Sequence, residues 1–288
     1  MLSEAPIRIV SGKGGVGKSV VALAMARLEA SHGRRTLLCE VNAHESSVRL
    51  LGKPGSHTTI QKVEGSLYSI NLTAQEAVRE YALMTLKFRA IYNAVFENRV
   101  VKYFIRAVPS LGEFVMLGKI WYEEQNGDWD TIIVDAPATG HLISWLRVPQ
   151  VFTEMISGGP LNTSAKDFRA MLEDPSRTRL DIVTLPEEMP VNEAIAIDEA
   201  AKKFKFATRG LTIVNRVLPA LPAGVVQGTP HTPLFDRLRV QEHWRSVGES
   251  YLNALPAGPQ VRLAKRTLPI SNAADIDALG QELEAQLK

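Results

Sequence analysis

Cysteine is nearly absent from this chain: Cys39 stands alone among 288 residues. Intramolecular disulfides are thereby excluded, as is a zinc site built from the cysteines of one chain. Neither sign of charge is in excess. Thirty-three basic residues meet 31 acidic ones for a net charge of +2, which gives no reason to expect nucleic acid as the main partner. No run of about 18 apolar residues occurs, so no membrane span is expected. The start of the chain has no secretory apolar core and enters a strand almost at once, so a cytoplasmic protein is expected. The six histidines, at 32, 44, 57, 141, 231 and 243, form no H-x-x-x-H pair, and no serine sits in a G-x-S-x-G elbow. Internal repeats and low-complexity tracts are also missing.

What is present begins at residue 7. The apolar stretch Ile7-Arg8-Ile9-Val10 runs into Ser11-Gly12-Lys13-Gly14-Gly15-Val16-Gly17-Lys18-Ser19. Gly12, Gly17, Lys18 and Ser19 satisfy the phosphate-loop frame G-x-x-x-x-G-K-[ST]. Glycines let backbone N–H groups turn inward, and these together with the start of the next helix attract anionic oxygens. Gly12, Gly14, Gly15, Val16, Gly17, Lys18, Ser19 and Val20 are therefore the candidate nucleotide contacts, for ATP or ADP. Lys18 would reach the β- and γ-phosphates, and Ser19 would offer its hydroxyl to Mg²⁺.

Short β-branched runs alternate with longer amphipathic ones, which argues for βα units and a mainly parallel sheet. Strands are expected at 7–10, 36–41, 66–71, 130–135, 179–185, 210–216 and 260–264. Val20, Val21, Ala24, Met25 and Leu28 mark the helix after the loop, which ends at His32-Gly33. Residues 73–125 read as mostly helical. Tyr81, Met84, Phe88, Ile91, Val95 and Phe96 form an apolar stripe, and Leu111, Phe114, Val115, Gly118 and Trp121 resume it after Pro109. Core packing and a partner groove or dimer face both account for such a stripe. Residues 154–178 read as a loop–helix–loop excursion, and 219–233, rich in Pro and Gly, as an irregular loop. The fold expected is an α/β P-loop NTPase three-layer sandwich: a single domain over 1–288, with about seven strands and helices on both faces.

Asp130-Thr131-Ile132-Ile133-Val134-Asp135 would bring the Asp135 carboxylate to the carboxyl end of a strand beside the phosphate loop, where it could hold Mg²⁺ through a water. The turn Ala136-Pro137-Ala138-Thr139-Gly140-His141 follows. It is placed to sense a γ-phosphate, or simply to join strand to helix with Thr139 as N-cap of a helix over Leu142–Leu146.

The loop's extra lysine, Lys13, carries a resemblance. Gly-Lys-Gly-Gly-Val-Gly-Lys-Ser resembles the deviant Walker A loop of the dimeric ATPases that include the septum-site, plasmid-partitioning, arsenite-pump and tail-anchored-protein targeting ATPases. Asp135–His141 is similar to the D-T-A-P-T-G-H switch of the arsenite-pump and targeting branch. Asp174–Thr178, Leu185–Met189 with Glu193 beyond, and Val214–Pro219 also resemble that branch, in its order, from residue 7 to about 219. The resemblance implies a homodimer, or a heterodimer with a homologous ATPase, that closes over ATP and handles a protein cargo. It implies that Lys13 reaches the partner's nucleotide, offsetting charge on the transferring group. It implies that Asn215 reads the adenine edge, since an amide both donates and accepts.

The departures carry equal weight. In that branch the second strand ends in a D-P-A-H type switch whose Asp positions the attacking water. Here Glu40-Val41-Asn42-Ala43-His44 puts Asn42 at that place, a far poorer proton acceptor. Strand periodicity points Glu40 to the same side as Asn42, either as a partial substitute near the magnesium waters or as a satisfied polar residue at a strand end. Slow hydrolysis, or hydrolysis needing a partner chain, is one expectation; a nucleotide-dependent binding subunit with little turnover is the alternative. A kinase or ligase on the same loop ranks third, for want of an acceptor pocket. One cysteine supports neither a metalloid site nor a cysteine-clamped dimer. The helical regions carry only Met84, Met116, Met155 and Met171, so a methionine-rich groove for membrane helices is not evident.

Overall fold

A computed structural model describes residues 5–77, 110–222 and 233–287. In chain order the elements are β1 (Ile7–Gly12), α1 (Lys18–Ser31), β2 (Thr36–Val41), a 3₁₀ turn (Ser47–Leu51), β3 (Gln61–Glu64), β4 (Leu67–Leu72), α2 (Leu111–Asn126), β5 (Thr131–Asp135), α3 (Thr139–Met155), α4 (Pro160–Glu173), β6 (Thr178–Thr184), α5 (Glu188–Phe204), β7 (Thr208–Val217), α6 (Pro233–Leu252), β8 (Gln260–Ala264) and α7 (Ala273–Ala285). Among the described residues the strands form one eight-stranded sheet in the order β3-β4-β2-β5-β1-β6-β7-β8. Every pairing is parallel except β3 against β4.

Alternation along the strands splits the core into two layers. Ile7, Ile9, Leu37, Cys39, Ile132 and Val134 face helices α2, α3, α4 and α5. Val10, Leu38, Ile133, Val183 and Ile213 face α1 and α7. The α/β sandwich expected from the sequence is therefore the fold, with one strand more than expected. That strand, β3, is a short edge strand of sequence Gln-Lys-Val-Glu that is never fully buried. An edge strand needs no continuous apolar run, so nothing in composition marks it.

The remaining differences have local causes. Helix α3 runs from Thr139 to Met155 and holds Pro149 in its interior, well past the expected Leu142–Leu146. Ala138, in extended conformation, is its N-cap, and Thr139 is the first helical residue with no side-chain cap. The excursion at 154–178 is a loop–helix–loop built on α4, whose Phe168 packs where Gly118 of α2 leaves room. Phe114 and Val115 are buried in the core. The stripe from Tyr81 to Phe96 and most of the loop at 219–233 lie outside the described residues. Among the described residues no helix is long and apolar enough to cross a membrane.

Candidate functional site

The phosphate loop leaves β1 at the centre of the sheet, between β5 and β6. That is the crevice at the carboxyl ends of the strands where open α/β sheets take their ligands. Two glycines are required by geometry. A Cβ on Gly12 would lie 2.0 Å from the Val183 carbonyl oxygen. Gly17, at φ 94°, is the left-handed N-cap of α1, a region that disfavours side chains. The loop is tied down on both flanks. The Ser11 hydroxyl donates to the Pro137 carbonyl at 2.6 Å. From β7, the Asn215 amide Nδ2 donates to the Val16 carbonyl at 2.9 Å. Val16 is buried and Val20 half-buried, while Gly14 and Gly15 are exposed.

The two lysines meet at this loop. The Lys18 Nζ donates to the Lys13 carbonyl at 3.3 Å. Burial lowers the Lys18 pKa, while the charges of Asp135 and Glu193 oppose the shift. The Lys13 ammonium lies 2.9 Å from the Glu193 carboxylate of α5.

Asp135 ends β5 on the same sheet face as Ile133, and so faces α1. Burial raises its pKa to about 6, against the opposing pull of the Ser19 hydroxyl and the Lys18 charge; the Glu40 charge raises it further. Its Oδ1 is buried without a hydrogen-bond partner. An orphaned carboxylate oxygen beside an exposed serine hydroxyl is a pair of hard oxygen donors suited to Mg²⁺, which keeps waters for its other positions. Among the described residues, no group of three His, Cys, Asp or Glu side chains is arranged to hold a metal alone. Any metal here would rely on hydroxyl, water and phosphate oxygens.

Glu40 pairs in register with Asp135 across β2 and β5 and is fully buried. Three donors engage its carboxylate: the Ser46 hydroxyl at 2.6 Å, the Ser47 amide at 2.6 Å and the Ser47 hydroxyl at 2.8 Å. It clasps the loop that follows β2. Asn42 does not share its side of the strand as periodicity predicts. β2 stops at Val41, and Asn42 turns to φ 51° on the exposed tip, its backbone N–H donating to the Leu72 carbonyl at 2.8 Å. Asn is among the few residues that tolerate this conformation.

Asn215 stands at the end of β7 with both amide atoms engaged, since its Oδ1 accepts from the Arg216 amide at 2.9 Å. Its carboxamide braces the phosphate loop, and contact with an adenine edge would require those bonds to open. Sequence reasoning placed Lys13, Lys18, Ser19 and Asp135 near one another, and the fold brings all four together. It did not find that Glu193 is the partner of Lys13, or that Ser46 and Ser47 engage Glu40. The one available signal was the position of Glu193 shortly after the Leu185–Met189 segment.

A sequence model of the anion-transporting ATPases matches residues 6–158. The chain is 29% identical over 230 residues to ATPase BagA of Mycobacterium tuberculosis (strain ATCC 25618 / H37Rv), an alignment covering 76% of this chain and 67% of that protein. It is 26% identical over 239 residues to an arsenical pump-driving ATPase of Acidiphilium multivorum, covering 76% of this chain and 40% of the relative. It is 28% identical over 143 residues to ATPase ASNA1 homolog 1 of Paramecium tetraurelia, covering 49% and 43%.

Proposed function

This chain belongs to the anion-transporting ATPase family, and on that premise we propose that it is a Mg-ATP-dependent ATPase whose nucleotide-driven pairing of two copies, or of this chain with a homologue, handles a protein cargo. The observation that carries the reading is the convergence of Lys18, Ser19, Asp135 and Lys13 on one glycine loop. The loop's amides and the start of α1 would cradle the phosphates. Lys18 would offset charge on the β- and γ-phosphates, and Lys13 would add a second cation from the partner subunit. Ser19, and Asp135 directly or through a water, would hold Mg²⁺, which would supply charge neutralisation on the phosphates. Water attacks the γ-phosphorus in line, the bond to the β–γ bridging oxygen breaks, and ADP and inorganic phosphate leave. The Thr139 turn that follows Asp135 would register the loss of the γ-phosphate.

Two measurements test this. Lys18→Ala is expected to abolish ATP binding in a calorimetric titration, and steady-state phosphate release by the wild type is expected to vanish in the same variant. Unchanged affinity in Lys18→Ala would defeat the assignment.

A second reading is favoured by Asn42 and Glu40: a nucleotide-dependent binding subunit with little turnover. Asn42 offers an amide where a carboxylate would accept a proton, and the nearby Glu40 carboxylate is already engaged by three donors. Tight ATP binding without phosphate release by the purified chain is its signature.

A further inference from the structure

A carboxylate at the mouth of a phosphate site is electrostatically unfavourable for a polyanion, because like charges a few ångströms apart repel. Glu193 is such a carboxylate. It sits in the second turn of α5, 180 residues from Lys13 in sequence, yet takes the Lys13 ammonium at 2.9 Å. Both side chains are about one-third exposed, at 33% and 29%. Lys13 holds the Glu193 pKa below the usual carboxylate range, and the Lys18 charge adds to the effect. The Thr139 hydroxyl also leans on this carboxylate, although it is buried without a partner at full hydrogen-bond geometry. Glu193 thus links three parts of the site: the lysine near the start of the phosphate loop, the lysine near its end, and the turn after Asp135.

The pairing fixes a direction. Lys13 lies against α5 of its own chain, so reaching a nucleotide bound to another subunit requires the ammonium to leave Glu193. A triphosphate is the stronger attractor, carrying more charge than one carboxylate, and the pair is exposed enough to exchange. We propose that Glu193 is a positioning residue that parks Lys13 on its own subunit, so that Lys13 crosses to a second copy only when a triphosphate there out-competes the carboxylate. Glu193 thereby sets how sharply assembly distinguishes ATP from ADP. This rests on the two-copy ATPase reading above. It adds a residue that the resemblance and the matched segment 6–158 leave without a role.

The test is a double-mutant cycle of Glu193→Gln and Lys13→Ala, read by sedimentation with ATP or ADP and Mg²⁺. Glu193→Gln is expected to tighten ATP-dependent dimerisation by roughly two- to fivefold, the range of a partly exposed ion pair. It should also raise dimer formation in ADP, eroding the preference for ATP. Glu193→Asp should restore the preference in part. In the Lys13→Ala background, the effect of Glu193→Gln should shrink to the relief of its own repulsion toward the nucleotide. In the monomer, the acylation rate of Lys13 by an amine-reactive probe, read by mass spectrometry, should rise in Glu193→Gln. An equal effect of Glu193→Gln with and without Lys13, or an unchanged Lys13 acylation rate, overturns the inference alone. A wild-type chain that binds ATP and stays monomeric with any homologue overturns it together with the two-copy reading.

Discussion

Asn215 reaches from the end of β7 to the middle of the phosphate loop, its amide 2.9 Å from the Val16 carbonyl oxygen. The same nitrogen lies only 2.6 Å from where a Cβ on Gly17 would sit. Asn215, expected to read an adenine edge, here braces the candidate phosphate loop. Asn215→Ala removes a hydrogen bond worth about 1 kcal/mol. It is expected to lower the melting temperature modestly and to weaken ATP and ADP alike. Gly17→Ala meets both the left-handed torsion and the Asn215 contact. It is expected to abolish nucleotide binding in a titration, and pairing it with Asn215→Ala should relieve only the steric part.

Asp135 makes stability depend on pH in a stated direction. Its pKa rises from 3.8 to about 6 on folding, chiefly through burial. Between those values the folded chain binds more protons than the unfolded one, so this group's contribution falls as pH rises from about 4 to 6 and stays low above. Asp135→Asn is expected to be more stable than the wild type at pH 7, by at most about 3 kcal/mol. Near pH 4 the two should be alike. Mg²⁺ should raise the wild-type melting temperature and leave that of the variant unmoved. Denaturation curves at both pH values check this, and a difference independent of pH would contradict it.

The low-turnover reading rests on Asn42. Asn42→Asp keeps a side chain that tolerates the left-handed turn and restores a carboxylate as proton acceptor. Phosphate release is expected to rise by roughly tenfold or more, with ATP affinity little changed. A rate equal to that of the wild type would remove Asn42 from the mechanism.

Arg8 and Asp181 form an ion pair between β1 and β6, 2% and 0% exposed, with contacts of 2.6 and 2.5 Å. Asp181 also accepts from the Leu211 amide at 2.7 Å, joining β7 to the pair. Asp181→Ala takes the carboxylate away from a buried guanidinium and from the Leu211 amide, and is expected to destabilise the chain by about 3–5 kcal/mol. Urea denaturation checks the value. Replacing both partners with apolar residues of similar volume should recover most of the loss.

The central strands are legible in the sequence because a parallel strand covered on both faces reads as a run of apolar, β-branched residues, as in Thr131–Val134 and Leu211–Val214. β3 escapes because an edge strand is free to be Gln-Lys-Val-Glu. The phosphate loop is legible because its chemistry lies within nine consecutive residues. Asp135 follows because strand alternation carries it to the face of α1. The partnerships of Lys13 with Glu193 and of Asn215 with Val16 are not legible. They join residues 180 and 199 positions apart, and only the packing of α5 on the sheet and the place of β7 two strands from β1 bring them together. Asn42 misleads for a different reason: a left-handed turn interrupts the period-two rule one residue after the strand ends.

The most direct test is a crystal structure of the chain with Mg²⁺ and a non-hydrolysable ATP analogue. The account predicts the phosphates within the Gly12–Ser19 loop, Lys18 Nζ on the γ-phosphate, the metal on the Ser19 hydroxyl with Asp135 beside it, and Lys13 released from Glu193 toward a second copy. An analogue bound elsewhere, or a loop with no phosphate at saturating ligand, would contradict it.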